Sequence, residues 1–143
     1  MSEIKAAGDF NISVAEIITS SGSTFNIKDA NIIGINFYEN IQKNSVTGEI
    51  LLQDAAGFIS EGPIIGQEYL RLKIQTSSLK NEDDIIDFTE NVFIINSVET
   101  RAEMANNVSV YLLSFSSSEL SKNQRVKVNS SLTGTHSDIV KQM

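Results

Sequence analysis

The stretch "TGEILLQDAAGFISEGPIIGQEYLRLKI", residues 47–74, decides the fold class of this chain. An apolar pattern with a period of two stops at Asp54, and a glycine-containing segment with the only proline of the chain follows. Strict alternation then returns after Gly66. A period of two is typical of a strand with one buried face. We therefore predict that Asp54 ends one strand and that Gly66 turns the chain into the next.

Period two also organises the rest of the chain, in which we find no internal repeat. The predicted strands cover residues 12–19, 23–28, 30–41, 46–53, 68–76, 92–98, 107–115 and 124–128. In the third of these, Ile33, Ile35, Phe37 and Ile41 are expected to share the inward face. The short polar segment "QKNSVTG" joins the third strand to the fourth as a hairpin. These features predict an all-β fold, an antiparallel β-sandwich or barrel.

Helical signals are few and short. In "LQDAAGFISEG", Asp54 could cap a first helix, and in "SSSELSKN" Ser117 or Ser118 could cap a second. The last seven residues, "SDIVKQM", begin a third, with Thr135 or Ser137 as its cap. We interpret residues 1–134 as one β domain and residues 135–143 as the start of a helix leading out of it. This ending predicts that the chain is the N-terminal part of a longer polypeptide.

Composition and charge exclude several classes of protein. With 143 residues, 41% of them apolar, the chain suits one folded domain. No apolar run approaches the ~20 residues that span a bilayer, so no membrane partner is expected. The net charge is −7, and residues 1–70 hold three Lys against nine Asp or Glu. An acidic chain repels the phosphate backbone, so specific nucleic-acid binding is not expected.

No motif predicts catalysis, a cofactor or a metal. The acidic run "NEDDIIDFTE" lacks the calcium-loop pattern and is interpreted as a solvated loop leading into a strand. His136, the only histidine, lies beside a helix cap. The carboxylate pairs Asp54 with Glu68 and Glu16 with Glu39 have no spacing that favours acid–base work. We expect no enzymatic activity.

A small group of cations follows the second predicted helix. Lys122, Arg125 and Lys127 are too few for a nucleic-acid surface. They could pair with the acidic face of a neighbouring copy, and they are our candidate inter-subunit residues. The alternative is an ordinary solvated strand.

Three segments resemble a known family: "ENIQKNSVTGEILLQDAAGF", "IIGQEYLRLKI" and "VYLLSFSSSELSKNQRVKVNSSLTGTHSDIV". They are similar to the N-terminal tube-like domain of baseplate hub proteins from contractile-tailed phages. The resemblance covers most of the chain from about residue 30 and lies in the order and spacing of short motifs. The matching residues are Thr47, Gly48, Asp54, Ile64, Gly66, Glu68, Tyr111, Leu113, Phe115, Ser118, Glu119, Arg125, Val126, Gly134, Ser137, Asp138 and Ile139.

The resemblance implies a structural subunit with the tail-tube fold and no cofactor. It implies a hub ring beneath the tail tube, which contacts the tail-tube protein, the central spike and the baseplate wedges. Such a protein belongs to the tail baseplate of the virion and is assembled in the host cytoplasm. Family hubs carry two tube-like domains and form trimers, whereas this chain has length for one, so a trimer and a hexamer both stay open.

An acidic ring would let the phage genome pass without adhering, and Glu39 and Glu49 are our candidates for the wall of its lumen. Within the structural class, the alternative to a hub is a tail-tube or tube-adaptor subunit. A further alternative is a non-catalytic β-sandwich binding module. Such modules usually present exposed aromatic side chains, and this chain has no Trp and three Tyr.

Overall fold

The computed structural model describes residues 10–28, 31–55, 57, 64–76, 85–104, 108–127, 129 and 131–142. Its strands are β1 (Phe10–Ile18), β2 (Thr24–Asn26), β3 (Asn31–Tyr38), β4 (Thr47–Asp54), β5 (Tyr69–Thr76), β6 (Ile85–Met104) and β7 (Val108–Ser117). Two short helices, α1 (Ser118–Arg125) and α2 (His136–Gln142), follow the last strand.

All seven strands belong to one antiparallel sheet, in the order β2-β1-β5-β6-β7-β4-β3. The predicted all-β antiparallel fold with short helices is confirmed. The sheet is open and does not close into a barrel. In the described part of the chain, β3 and β2 therefore form the two outer edges.

The sheet curves around its core, and the rings of four phenylalanines show this curvature. Phe37 on β3 lies three strands away from β6, roughly 14 Å in a flat sheet. Its ring centroid is nevertheless 6.3 Å from that of Phe88 and 6.1 Å from that of Phe93, both on β6. Phe115 on β7 lies between them, 5.6 Å from Phe37 and 4.7 Å from Phe93. Side chains from both ends of the sheet thus form one apolar cluster.

The long strand β6 bends in its middle, and this bend produces part of the curvature. Leu70 of β5 pairs with Phe93, whereas Leu72 pairs with Phe88, so residues 89–92 lie opposite Arg71 alone. Extra residues on one strand bend it and increase its twist. Only residues 93–104 of β6 pair with β7, so the first half of β6 leaves the neighbourhood of that strand.

The alternation predicted around residues 47–74 is confirmed. On β4, Ile50 and Leu52 are buried, and on β5, Leu70, Leu72 and Ile74 are buried. The residues that alternate with them are only partly buried or exposed. Strand β4 ends at Asp54, and Gly66 has a φ of +89° in the turn before β5. The local sequence signals therefore place the end of β4 and the start of β5 correctly, although the two strands are not neighbours in the sheet.

The inward face predicted for β3 is partly wrong. Ile35 and Phe37 pack against the core, but Ile33 is 51% exposed. A bulge explains this: Ile32 pairs with Leu52 and Gly34 with Leu51, which leaves Ile33 as an extra residue that turns outward. Ile41 lies beyond the end of the strand and is fully exposed.

The predicted strand over residues 124–128 is also wrong. Helix α1 continues to Arg125, since the run from Ser118 holds several good helix formers and ends in a cation that suits the helix C-terminus. Its C-cap, Val126, is extended, with φ −93° and ψ 119°, but pairs with no described strand. Most of the helix predicted after β4 lies outside the described residues, and β4 continues through its first three positions, Leu52, Gln53 and Asp54.

Candidate assembly surfaces

Glu68 is buried, and its carboxylate has a structural role, because it stabilises a turn. Its Oε1 accepts the backbone N–H of Ile65 at 3.0 Å, and its Oε2 accepts those of Gly66 and Gln67 at 2.9 and 3.0 Å. The side chain is 1% exposed. Three charge-assisted bonds to consecutive backbone amides explain how a carboxylate is accommodated here. The segment "IIGQE" thus forms a turn that is organised around the carboxylate of Glu68.

The other carboxylates considered as acid–base pairs also have structural partners. Asp54 is buried, and its Oδ1 accepts the N–H of Gly57 at 2.7 Å, which holds the chain as it leaves β4. Glu16 lies 3.8 Å from Nη1 of Arg71 on the neighbouring strand. Within the described ranges, no three carboxylate or imidazole groups converge in a way that could hold a metal ion.

His136 is exposed at the start of α2, where the capping group is Thr135. The Thr135 hydroxyl donates to Oδ2 of Asp138 at 2.6 Å and accepts the backbone N–H of the same residue at 3.4 Å. Of the two predicted caps, the structure thus uses Thr135. This reciprocal arrangement satisfies a free N–H at the first turn of the helix.

A groove opens between the end of β3 and the first half of β6. We call it the Phe88 groove; it has two adjoining lobes of about 610 and 540 Å³ that share Glu39 and Phe88. The stacked rings of Phe37 and Phe88 lie at its base. Ile41 lines one lobe and is fully exposed, and Ile86 lines the other and is 43% exposed. The groove therefore has apolar side chains in both lobes.

The groove carries negative charge at neutral pH. Its lining includes the carboxylates of Glu39, Asp87 and Glu119 and one cation, Lys43. The pKa of Asp87 is lowered to about 2, first because Lys73 Nζ donates to it at 2.7 Å. With Asp87 paired to Lys73, Glu39 and Glu119 outweigh Lys43 and leave a small excess of negative charge along the groove.

Glu119 is held in its ionised form by the start of helix α1. Its pKa is lowered chiefly by the backbone N–H of its own residue and then by the Ser117 hydroxyl. Free N–H groups at a helix N-terminus favour negative charge in this way. Because Ser117 and Glu119 line one end of the groove, this helix end contributes to its acidic character.

The two candidate lumen residues have different surroundings. Glu39 is exposed and lines the Phe88 groove, whereas Glu49 on β4 alternates with buried Gly48 and Ile50 and so faces away from the core. Glu49 Oε2 accepts the Tyr38 hydroxyl at 3.1 Å, and this bond raises the pKa of Tyr38. Nothing in the structure brings Glu39 and Glu49 together as one site.

The three candidate inter-subunit cations lie on one exposed segment. Lys122 and Arg125 occupy the last turn of α1, and Lys127 follows it in an extended stretch. All three side chains are exposed, and the intervening Val126 is 64% exposed.

Sequence reasoning missed the Phe88 groove. The acidic run predicts that Asp87 and Phe88 lie in a solvated loop, and this is wrong, because both belong to β6. The one local signal was Ile41, a large apolar residue in an otherwise polar turn. Because the alternation assigns Ile41 to the inward face of β3, it does not predict that this residue is exposed.

Comparisons with known proteins return no relative. No protein family, no curated protein and no solved structure matches this chain. In the described residues, none of the helices has the length and apolar character needed to cross a membrane.

Proposed function

We propose that this chain is a non-catalytic structural subunit of a phage baseplate hub, which forms a ring under the tail tube and connects it to the central spike. Two lines support the proposal: the motif resemblance over most of the chain, and an open sheet that, in the described part of the chain, has a free strand edge at β3. The second is the observation that carries it, because it does not depend on the resemblance.

The β3 edge lacks the usual devices that keep sheets from pairing. Monomeric proteins protect edge strands with charges, prolines, short strands or bulges. Strand β3, "NIIGINFY", has no charged residue and no proline, and its one bulge at Ile33 leaves residues 34–38 regular. An edge of this kind favours pairing with a second chain.

The opposite edge is partly free. The three-residue strand β2 pairs only with residues 16–18 of β1, and beyond it Ile27 N–H donates to the Ala15 carbonyl and Lys28 Nζ to the Ser13 carbonyl. Within the described residues, the start of β1 has a partner strand, β5, on one side only. A subunit with two different free edges can join head to tail, and such a heterologous contact gives a ring when the rotation closes.

In this ring Glu49 is the stronger candidate for the lumen wall, because it faces away from the core. An acidic wall would repel the phosphates of passing DNA. The spike, the tail-tube protein and the wedges remain the expected partners. The tail-tube or adaptor role is the alternative within the same class, and the copy number separates them: three copies favour a hub, and six favour a tube-like ring.

The test is the assembly state of the full chain, measured by native mass spectrometry and negative-stain microscopy. We expect closed rings with a central hole. Ile33→Lys places a charge on the exposed β3 edge and should lower ring formation, while Val140→Lys on α2, at a residue that is 74% exposed, should leave it unchanged. A chain that stays monomeric at all concentrations, or turnover of a glycan, peptide or phosphoester substrate, would contradict the proposal.

A further inference from the structure

Two exposed features of this chain complement each other. One is the Phe88 groove, and the other is the basic segment, which we define as Arg125, Val126 and Lys127. We infer that the basic segment of one copy docks in the Phe88 groove of a neighbouring copy. This inference rests on the proposed function, since it names a contact by which copies would assemble.

The groove offers an apolar base together with an open strand edge. Residues 85–88 of β6 pair with β5 on one side, but the pairing of β6 with β7 begins only at Phe93. In the described part of the chain, the first half of β6 therefore has no strand on its second side. An extended peptide can add to such an edge through main-chain hydrogen bonds. Ile41 and Ile86 would lose their exposure beside it.

The middle residue of the basic segment is extended but pairs with no described strand. Val126 has extended backbone angles and is 64% exposed, and it stands between two cations. In an extended chain, neighbouring side chains point to opposite faces. Val126 is extended and can face the apolar lining of the groove, while Arg125, at the end of α1, and Lys127 can reach its carboxylates with their long side chains.

Charge complementarity favours the basic segment as the peptide that binds in the Phe88 groove. The groove is lined by Glu39, Asp87 and Glu119 and by one cation, Lys43; because Asp87 is already paired with Lys73, Glu39 and Glu119 are its remaining carboxylates, whereas the segment presents two cations and no anion. Opposite potentials of this kind set the register of a contact and speed association. Within one chain, Arg125 lies six residues after Glu119 on α1, about 9 Å along the helix axis from the end of the groove. The basic segment of a neighbouring copy is therefore the favoured occupant.

Cysteine crosslinking tests the contact directly, because the chain contains no cysteine. Full-length Ile41→Cys and Val126→Cys proteins are mixed and oxidised with copper phenanthroline. We expect a disulfide-linked dimer that contains one copy of each variant. In the matched control, Val140→Cys replaces Val126→Cys; Val140 is 74% exposed but lies on α2, so the dimer should fall to background.

Equal dimer yields in the two mixtures would overturn the inference. So would an intramolecular crosslink in the double variant Ile41→Cys/Val126→Cys at high dilution, since the segment would then occupy its own groove. A charge swap adds a second measurement. Arg125→Glu with Lys127→Glu should weaken the association by about tenfold, and Glu39→Lys in the partner copy should restore part of it. Loss without any restoration would exclude Glu39 as the partner.

These outcomes are separable from those of the proposed function. Rings that form without the crosslink between positions 41 and 126 would leave the ring proposal standing and refute this contact. A specific crosslink in a chain that forms pairs but never rings would support the contact and refute the hub ring.

Discussion

Replacing Gly48 by alanine tests the packing between β4 and its two neighbours, β3 and β7. Gly48 is buried on β4 between Phe37 of β3 and Phe115 of β7. A Cβ at this position would overlap Cζ of Phe115 and would lie 2.5 Å from the carbonyl oxygen of Asn36 and 2.7 Å from Cε2 of Phe115. The added methyl group therefore has no room unless a ring or a strand moves.

The magnitude follows from what must move. The Phe115 ring is packed against Phe37 and Phe93, and the oxygen of Asn36 belongs to the backbone of β3. Inserting a methyl group into a close-packed core costs about 1–3 kcal/mol, and loss of an aromatic contact adds about 0.5–1.5 kcal/mol. The reduced freedom of the unfolded chain returns about 0.4–1 kcal/mol. We expect a net loss of about 2–3 kcal/mol.

Gly34→Ala is the matched control on the neighbouring strand. A Cβ at Gly34 meets no atom within 4 Å. The substitution should therefore be neutral or stabilise the fold by up to about 1 kcal/mol, since only the unfolded chain and the strand propensity change. The two variants make the same chemical change at two strand glycines and differ in the space available.

Urea unfolding followed by circular dichroism suits this chain, which has no tryptophan. With a slope of about 1–3 kcal/mol per M, the Gly48→Ala midpoint should fall by roughly 1–2 M. In the double variant with Phe115→Leu, the loss should be smaller than the sum of the two single losses. Equal midpoints for Gly48→Ala and Gly34→Ala, or strict additivity with Phe115→Leu, would refute the reasoning.

Two further predictions concern carboxylates. Glu68→Gln removes the charge and leaves at least one of the three backbone N–H donors facing the NH2 group of the glutamine side chain. The free energy of unfolding should therefore fall by about 1.5–3 kcal/mol. In the same assay, Glu90→Gln at an exposed position should change it by no more than about 0.5 kcal/mol. Equal effects of the two changes would show that the turn does not need the carboxylate. Asp87, whose pKa is lowered from 3.8 to about 2, should stabilise the fold above about pH 4 and lose this contribution as the pH falls towards 2. Carboxyl-carbon NMR titration should give its midpoint near 2, and Lys73→Met should raise that midpoint; an unchanged midpoint in the variant would contradict the assigned cause.

The sequence alone determined the features that depend on neighbouring residues. Alternation predicts β4 and β5 with their buried faces, and the end of the first at Asp54 and the turn at Gly66 follow from local turn chemistry. The cap of the last helix is narrowed to Thr135 or Ser137 for the same reason, because capping groups lie within one turn of each other, and the structure uses Thr135. In each case, a few adjacent residues contain the whole physical cause.

Only the tertiary structure decided the features that join distant parts of the chain. The bend at residues 89–92 depends on how β6 divides its pairing between β5 and β7. The outward turn of Ile33 depends on the register with β4, because one extra residue moves the following side chains to the other face. The Phe88 groove arises where the curved sheet brings the end of β3 towards β6, about 50 residues away in the chain. Periodicity contains no information on such pairings, since they are set by which strands compete for the same edge and core.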